Sequence, residues 1–184
     1  MPQSETATGI RLALWSKDDL DLLHQVNTPE MRAHLGGPER EEQILSRHER
    51  YLQPTDPGVS CMFRIALLPD DESAGIIGYW EREWQGETVY ETGWGVLPHL
   101  QGRGIAVAAA VRTIAAARAQ RRHARIHAFP STGNPASNAI CRKAGFTLSG
   151  QCDLEYPPET GNIMHCNDWS LDLTDPAPPP PPAR

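Results

Sequence analysis

The six residues Gln101-Gly102-Arg103-Gly104-Ile105-Ala106 constrain the fold of this chain more than any other stretch. They follow a strand-like run, Thr88 to Val96, and open a helix-like run, Ile105 to Arg121. Two glycines at such a junction let main-chain N–H groups converge where a helix begins. The first turn of a helix has unpaired donors and carries about half a positive charge. It is a seat for phosphate, and it points to a nucleotide-bearing cofactor.

The rest of the chain surrounds that junction with alternating patterns. Ile10 to Leu14 reads as a strand, and Ser16 with Asp19 forms a capping box ahead of a helix to Val26. Pro29 to Leu35 is expected as a short helix stopped by Gly36-Gly37-Pro38, and Glu39 to Leu52 as an amphipathic one. Cys61 to Leu68 is a strand. Ala74 to Trp84 and Thr88 to Val96 pair as a hairpin across Gln85-Gly86-Glu87. Arg118, Arg121 and Arg122 suit the negative end of the long helix. Arg125 to Phe129 is a strand, Asn134 to Ala144 a helix with Gly145 as C-cap candidate, and Thr147 to Tyr156 and Met164 to Leu173 the last two strands. This order predicts one α/β domain. Its mixed, largely antiparallel sheet is flanked by helices on both faces and has parallel strands where the long helix crosses over. Residues 1–9 are expected to be flexible, residues 10–173 to form the domain, and residues 174–184, rich in proline, to be disordered.

The net charge of −6 argues against a protein that binds nucleic acid by neutralising phosphates, and tilts toward a cationic partner. The four cysteines include no C-x-x-C and the seven histidines no zinc-like spacing. His123 and His127 are separated by an expected helix end, so no metal site is expected. Met1 to Gly9 lacks an apolar targeting core, and the apolar run Ile105 to Val111 is too short to span a bilayer. The expectation is a cytoplasmic protein with no membrane partner.

Three cofactor folds use glycine-rich strand-to-helix turns. A Walker loop needs Gly-Lys-Ser/Thr, which does not follow Gly104. A dinucleotide fold needs a third glycine and parallel strands before the turn. Two features favour another class. Trp94-Gly95-Val96-Leu97-Pro98 precedes the loop, where a bulge at Gly95 would splay the strand. Asn134-Pro135-Ala136-Ser137 leads to Lys143-Ala144-Gly145-Phe146, and Asn134 and Ser137 are spaced to cap a helix. The loop and the second motif, in this order, resemble the Q/R-x-x-G-x-G/A and following motifs of the GNAT acyl-CoA-dependent N-acetyltransferases. The chain looks most like the branch with the ribosomal-protein-alanine acetyltransferases, over about residues 10 to 173.

The resemblance implies that N–H groups from Gly102 to Ala106, with Gln101 beside them and Arg103 adding charge, hold the pyrophosphate of coenzyme A. Main-chain groups of Val96 and Leu97 would pair with the pantetheine arm, and one N–H there would face the oxyanion. Asn134 and Ser137 would contact the pantetheine or phosphate region. Acetyl transfer also needs a base for the amine and an acid for the thiolate. Glu91, on the strand leading to the cofactor, is the candidate base, with Glu81 and Glu83 as rivals. Many relatives carry a tyrosine acid five residues before the phenylalanine of Gly-Phe. This chain has Cys141 there, and Cys141, Tyr156 or solvent is left to serve. Met31 to Glu42 and Glu155 to Asn162 would form the acceptor pocket, with Trp80, Trp84 and Trp94 as possible walls. Glu39, Glu41, Glu42 and Glu155 are candidates for drawing in a cation. The expected activity is transfer of acetyl from acetyl-CoA to a primary amine in a ternary complex, the acceptor being a small cationic amine. The alternatives are a protein N-terminal acetyltransferase and a non-catalytic acyl-CoA sensor. Many such proteins form homodimers.

Overall fold

The computed structural model describes residues 9–176. The expected termini, residues 1–9 and 174–184, lie mostly outside that span. Seven strands form one sheet: β1 (Ile10–Leu14), β2 (Ser60–Leu67), β3 (Glu72–Trp84), β4 (Glu87–Val96), β5 (Arg125–Ala128), β6 (Thr147–Glu155) and β7 (Ile163–Asp172). The helices are α1 (Leu20–Gln25), α2 (Glu41–Leu52), α3 (Ile105–Gln120) and α4 (Pro135–Lys143). The strand order is β1-β2-β3-β4-β5-β7-β6. Only β4 and β5, joined through α3, run parallel. No helix among the described residues is long and apolar enough to cross a membrane.

The β3–β4 hairpin sets the faces of the sheet. Its two-residue turn, Gln85-Gly86, has φ of 52° and 84°, the left-handed pair that suits the twist of a hairpin. Trp80 lies opposite Glu91, so Trp80, Arg82 and Trp84 share one face with Glu91, Gly93 and Gly95. Tyr79 and Tyr90 point to the other face. There α3 packs on β3 and β4, and His123 meets the Tyr90 ring at 4.7 Å. Ala74 to Tyr79 are all buried, which requires cover on both faces. Ala109, Ala110 and Ala117 of α3 are nearly inaccessible, and their small side chains let the helix lie close to the sheet.

Two expectations are corrected. Residues 29–35 form consecutive turns, not a helix. Thr28 Oγ1 takes the Met31 N–H (3.2 Å), and Arg32 O takes both Leu35 N–H (2.9 Å) and Gly37 N–H (3.0 Å). The one i→i+4 bond here, Arg32 N–H to Thr28 O (3.0 Å), is not continued by the residues that follow, and the chain turns back on Arg32 O. At Gly95 there is no bulge, and the β3–β4 register runs unbroken from Trp84↔Glu87 to Gly75↔Val96. The splay occurs on the other side of β4, where pairing with β5 covers only Tyr90↔Ile126 and Glu91↔His127.

The second motif has a structural role beyond its cap. Asn138 is buried and uses its whole amide. Nδ2 donates to Ser131 O (2.9 Å) and Asn134 O (2.7 Å), while Oδ1 accepts from Asn167 Nδ2 (2.7 Å) and Trp169 Nε1 (2.8 Å). It joins the start of α4 to β7. Asn138→Ala leaves these partners unpaired in a buried site, so we expect a loss of about 2 kcal/mol. Thermal unfolding should show it as a fall in Tm of about 4–8 °C.

Candidate active site

The glycine turn has the geometry its sequence implies. Gly102 and Gly104 both have φ of 76°, a conformation that disfavours a side chain. The turn places Gly104 immediately ahead of α3 with no side-chain cap. Among the described residues, no main-chain carbonyl outside the helix takes the N–H groups from Gly102 to Ala106; the first such bond is Ala108 N–H to Gly104 O (3.0 Å). The segment is exposed up to Ile105. Arg103 donates through Nη2 to His99 O (3.3 Å). Gln101 donates through Nε2 to Val96 O (2.9 Å), tying the loop to the end of β4.

Beside this row lies the free edge of β4. Leu97 N–H bonds Ala74 O (2.9 Å), on the β3 side. Strand alternation then directs the main-chain groups of Val96, Trp94 and Thr92 away from β3, into the gap that β5 leaves after Glu91. The Leu97 N–H is used on the β3 side, and the donors that face the gap are those of Val96 and Trp94. A row of free N–H groups for a pyrophosphate and an unpaired strand edge for an amide-bearing arm fit coenzyme A.

Glu91 occupies the face across from α3. Its Oε2 accepts from Arg82 Nη1 (2.7 Å) and Trp80 Nε1 (3.2 Å), and its side chain keeps 18% of its exposure. Arg82 stands over the rings of Phe129 (5.0 Å) and Trp84 (5.6 Å). The rival carboxylates are elsewhere. Glu81 points to the α3 face, paired with His123 Nε2 (2.7 Å) and Arg122 Nε (2.8 Å). The His123 hydrogen bond, with help from Arg122, holds its carboxyl below the usual range. Glu83 is exposed near the hairpin turn and accepts from Thr88 Oγ1.

The two acceptor segments meet. A Cβ on Gly36 would stand 3.0 Å from Pro157 Cδ, and one on Gly95 would stand 3.5 Å from Met31 Cε. Residues 28–37 thus reach from the β6–β7 loop to the Glu91 face of β4. Tyr156 is half-buried in that loop, where its N–H bonds Asn162 O (2.9 Å). Trp80 and Trp84 share the Glu91 face, whereas Trp94 lies on the other. Most of the acids expected to attract a cation are engaged. Glu39 pairs with Arg47 (2.5 Å), Glu41 with His24 (3.0 Å), and Glu155 accepts from Gly161 N–H (2.7 Å).

Cys141 is not in a position to deliver a proton. It has no accessible surface, and burial pushes its thiol up to about 12. The end of α4 explains this placement: Phe146 N–H reaches back to Cys141 O (3.1 Å), turning that side of the helix inward with Phe146. Asn134 accepts Ser137 N–H through Oδ1 (3.1 Å), the cap its spacing implies.

One pair has no counterpart in the sequence reading. His127 Nδ1 lies 2.6 Å from Asp168 Oδ1, and both residues are 5% exposed. Asp168 Oδ2 accepts from Trp84 Nε1 (3.1 Å). His127 pairs with Glu91 across the last register position before the splay. The partners are 41 residues apart, so local spacing gives no signal of them. Among the described residues no group of three or more His, Cys, Asp or Glu could hold a metal ion.

Known proteins share this architecture. The family model for the Acetyltransferase (GNAT) domain matches residues 10–147. No curated protein matches the chain by sequence. A GNAT-family acetyltransferase from Bacillus anthracis superposes with a TM-score of 0.73 at 18% identity, covering 92% of this chain and 98% of the other. Spermidine N-acetyltransferase from Vibrio cholerae, in complex with CoA and spermine, gives 0.72 at 15% identity, covering 89% and 95%. The ribosomal L7/L12 alpha-N-protein acetyltransferase with coenzyme A gives 0.72 at 18% identity, covering 92% and 96%. The glycine turn, the splayed β4 edge and the family match lead to one assignment: the chain belongs to the GNAT family and is an acetyl-CoA-dependent acetyltransferase acting on amines.

Proposed function

We propose that this protein transfers acetyl to a small, cationic primary amine, which attacks directly while both substrates are bound. The observation that carries this reading is the parting of β4 from β5 immediately after Glu91. It leaves a strand edge open to the cofactor beside the face that carries a half-buried carboxylate. The N–H groups from Gly102 to Ala106, with Gln101 bracing the loop, would hold the pyrophosphate. Arg103 adds positive charge nearby. Val96 and Trp94 would pair with the pantetheine arm, and Asn134 and Ser137 line the α4 side of it. Coenzyme A supplies the activated acyl group as a thioester. The protein's part is to hold the amine and thioester within attack distance.

Glu91 would hold the acceptor nitrogen at the mouth of the splay. Closure of residues 28–37 onto the β6–β7 loop favours a small acceptor over a protein terminus, which needs an open groove. The net charge of −6 favours a cation, though it acts at long range, because Glu39, Glu41 and Glu155 are already engaged. Tyr156 belongs to the closing loop and is the remaining side-chain candidate to protonate the departing thiolate. Cys141→Ala should lower turnover by less than about tenfold, since loss of a true general acid costs roughly a hundredfold or more.

Initial rates of thiol release from acetyl-CoA over polyamines, aminoglycosides and short peptides test the acceptor class. Preference for a small polyamine or aminoglycoside is expected. Preference for peptides would replace this reading with a protein N-terminal acetyltransferase. Tight cofactor binding without release on any amine would replace it with an acyl-CoA sensor.

A further inference from the structure

We propose that His127, held by Asp168, is the group that takes the proton from the acceptor amine. This rests on the amine-acetylating function proposed above and assigns a catalytic residue to it.

Position is the first support. His127 and Glu91 are partners in the parallel ladder and share a face, so His127 stands as near the mouth of the splay as Glu91 does. The second support is the state of each group. Glu91 Oε2 already accepts two hydrogen bonds. His127 engages only Nδ1, and no described residue bonds its Nε2. Asp168 cannot rotate away, because Trp84 Nε1 holds its other oxygen. A carboxylate fixed at Nδ1 makes that nitrogen the N–H donor and leaves the Nε2 lone pair free to accept a proton. The Phe129 ring, 5.7 Å away and inclined by 14°, stacks on the imidazole and fixes its plane.

The third support is a cleft of about 140 Å³ on the hairpin-turn side of His127, lined by His127, Trp84, Gln85, Glu87, Val89 and Arg125. It gives the imidazole a route by which a proton received from the splay side can pass to solvent through a short chain of waters. Glu91 and His127 then divide the work. Glu91 holds the nitrogen, and His127 receives its proton. An acceptor that arrives as an ammonium first gives one proton to solvent. As the neutral amine attacks, the N–C bond forms, the thioester C–S bond breaks and its electron pair goes to sulfur. The amine's second proton passes to His127 Nε2 and on to solvent, and the thiolate takes a proton from Tyr156 or from solvent.

The charged groups facing His127 are Asp168, Glu91, Arg82, Glu87 and Arg125. Cys152 and Cys166, opposite each other on β6 and β7 of the same face, are pushed by burial up to about 11 and about 12. They stay neutral across the range of the assay.

Four measurements test the assignment together. Nitrogen-15 spectra of the wild-type imidazole should show Nδ1 protonated and Nε2 bare; the opposite tautomer overturns the proposal whatever the activity. His127→Gln, checked for folding by its affinity for coenzyme A, should lose kcat by roughly a hundredfold or more together with the limb that rises with pH. Asp168→Asn should reduce kcat in the same direction by favouring the wrong tautomer. Glu91→Gln should mainly raise KM for the amine and keep the limb. If His127→Gln turns over like wild type, with the pH profile intact, the dyad is overturned and acetyl transfer stands. A wild type that binds cofactor but acetylates no amine overturns the function, and the dyad's role with it.

Discussion

Gly104→Val should weaken acetyl-CoA binding by about tenfold or more while leaving the fold intact. Gly104 stands at the N-cap of α3 with φ of 76°. Nothing lies within 4 Å of a Cβ added there, so no clash penalises the change. The effect comes from the backbone. A β-branched residue is strained in the left-handed region by roughly 1–3 kcal/mol. Relaxation of that strain rotates the peptide groups on either side, which carry the converging N–H donors. Calorimetric titration with acetyl-CoA and circular dichroism on the same sample check both parts. An unchanged Kd would remove the glycine turn from the binding site. Arg103→Ala should have the smaller effect, because that side chain is exposed and its charge is screened by salt.

Gly75→Ala should be the most destabilising alanine substitution among the described glycines. An added Cβ would sit 2.1 Å from Gly95 O and 2.9 Å from Val96 Cα. Both are backbone atoms that no rotamer change can move. Past Glu91 the strand β4 is held only through β3, since β5 has already diverged. Admitting the methyl means parting β3 from β4 at the place where the free edge must be kept straight. We expect a loss of about 4 kcal/mol or more, a fall in Tm of about 8–16 °C, and weaker cofactor binding in proportion. Gly150→Ala is the control. Its Cβ would meet nothing within 4 Å, and a change within about 0.5 kcal/mol is expected. Equal effects at the two glycines would mean that β3 and β4 do not approach as closely as described.

These two glycines show which parts of the molecule the sequence reveals. Gly104 is legible because its constraint is local: a strand, a turn and a helix follow one another within about twenty residues. The first strand, the capping box at Ser16 and the long helix are legible for the same reason. Gly75 gives no local sign, because its constraint is a carbonyl on the neighbouring strand. The same limit explains the misplaced splay. Gly95 permits a bulge, but whether β4 bulges or parts from β5 depends on how long β5 stays paired.

The candidate site divides in the same way. Gln101 to Ala106 and the Asn134–Ser137 cap follow from spacing. Glu91 was legible as a position on a strand, but its engagement with Arg82 and Trp80 follows from register. His127 and Asp168 come from strands with another helix between them and meet only because β7 inserts between β5 and β6. Cys141 was legible as the residue in the tyrosine's place. Its burial depends on the turn that ends α4, which folds its side of the helix inward.

The central claim is direct attack by an amine in a ternary complex at the splay of β4. It is tested most directly by mass spectrometry of protein and small molecules after mixing with acetyl-CoA, with and without a primary amine that supports turnover. The account predicts acetyl on the acceptor nitrogen in step with thiol release, unmodified protein, and no thiol released without the amine. A burst of thiol without the amine, together with an acetylated protein side chain, would contradict it.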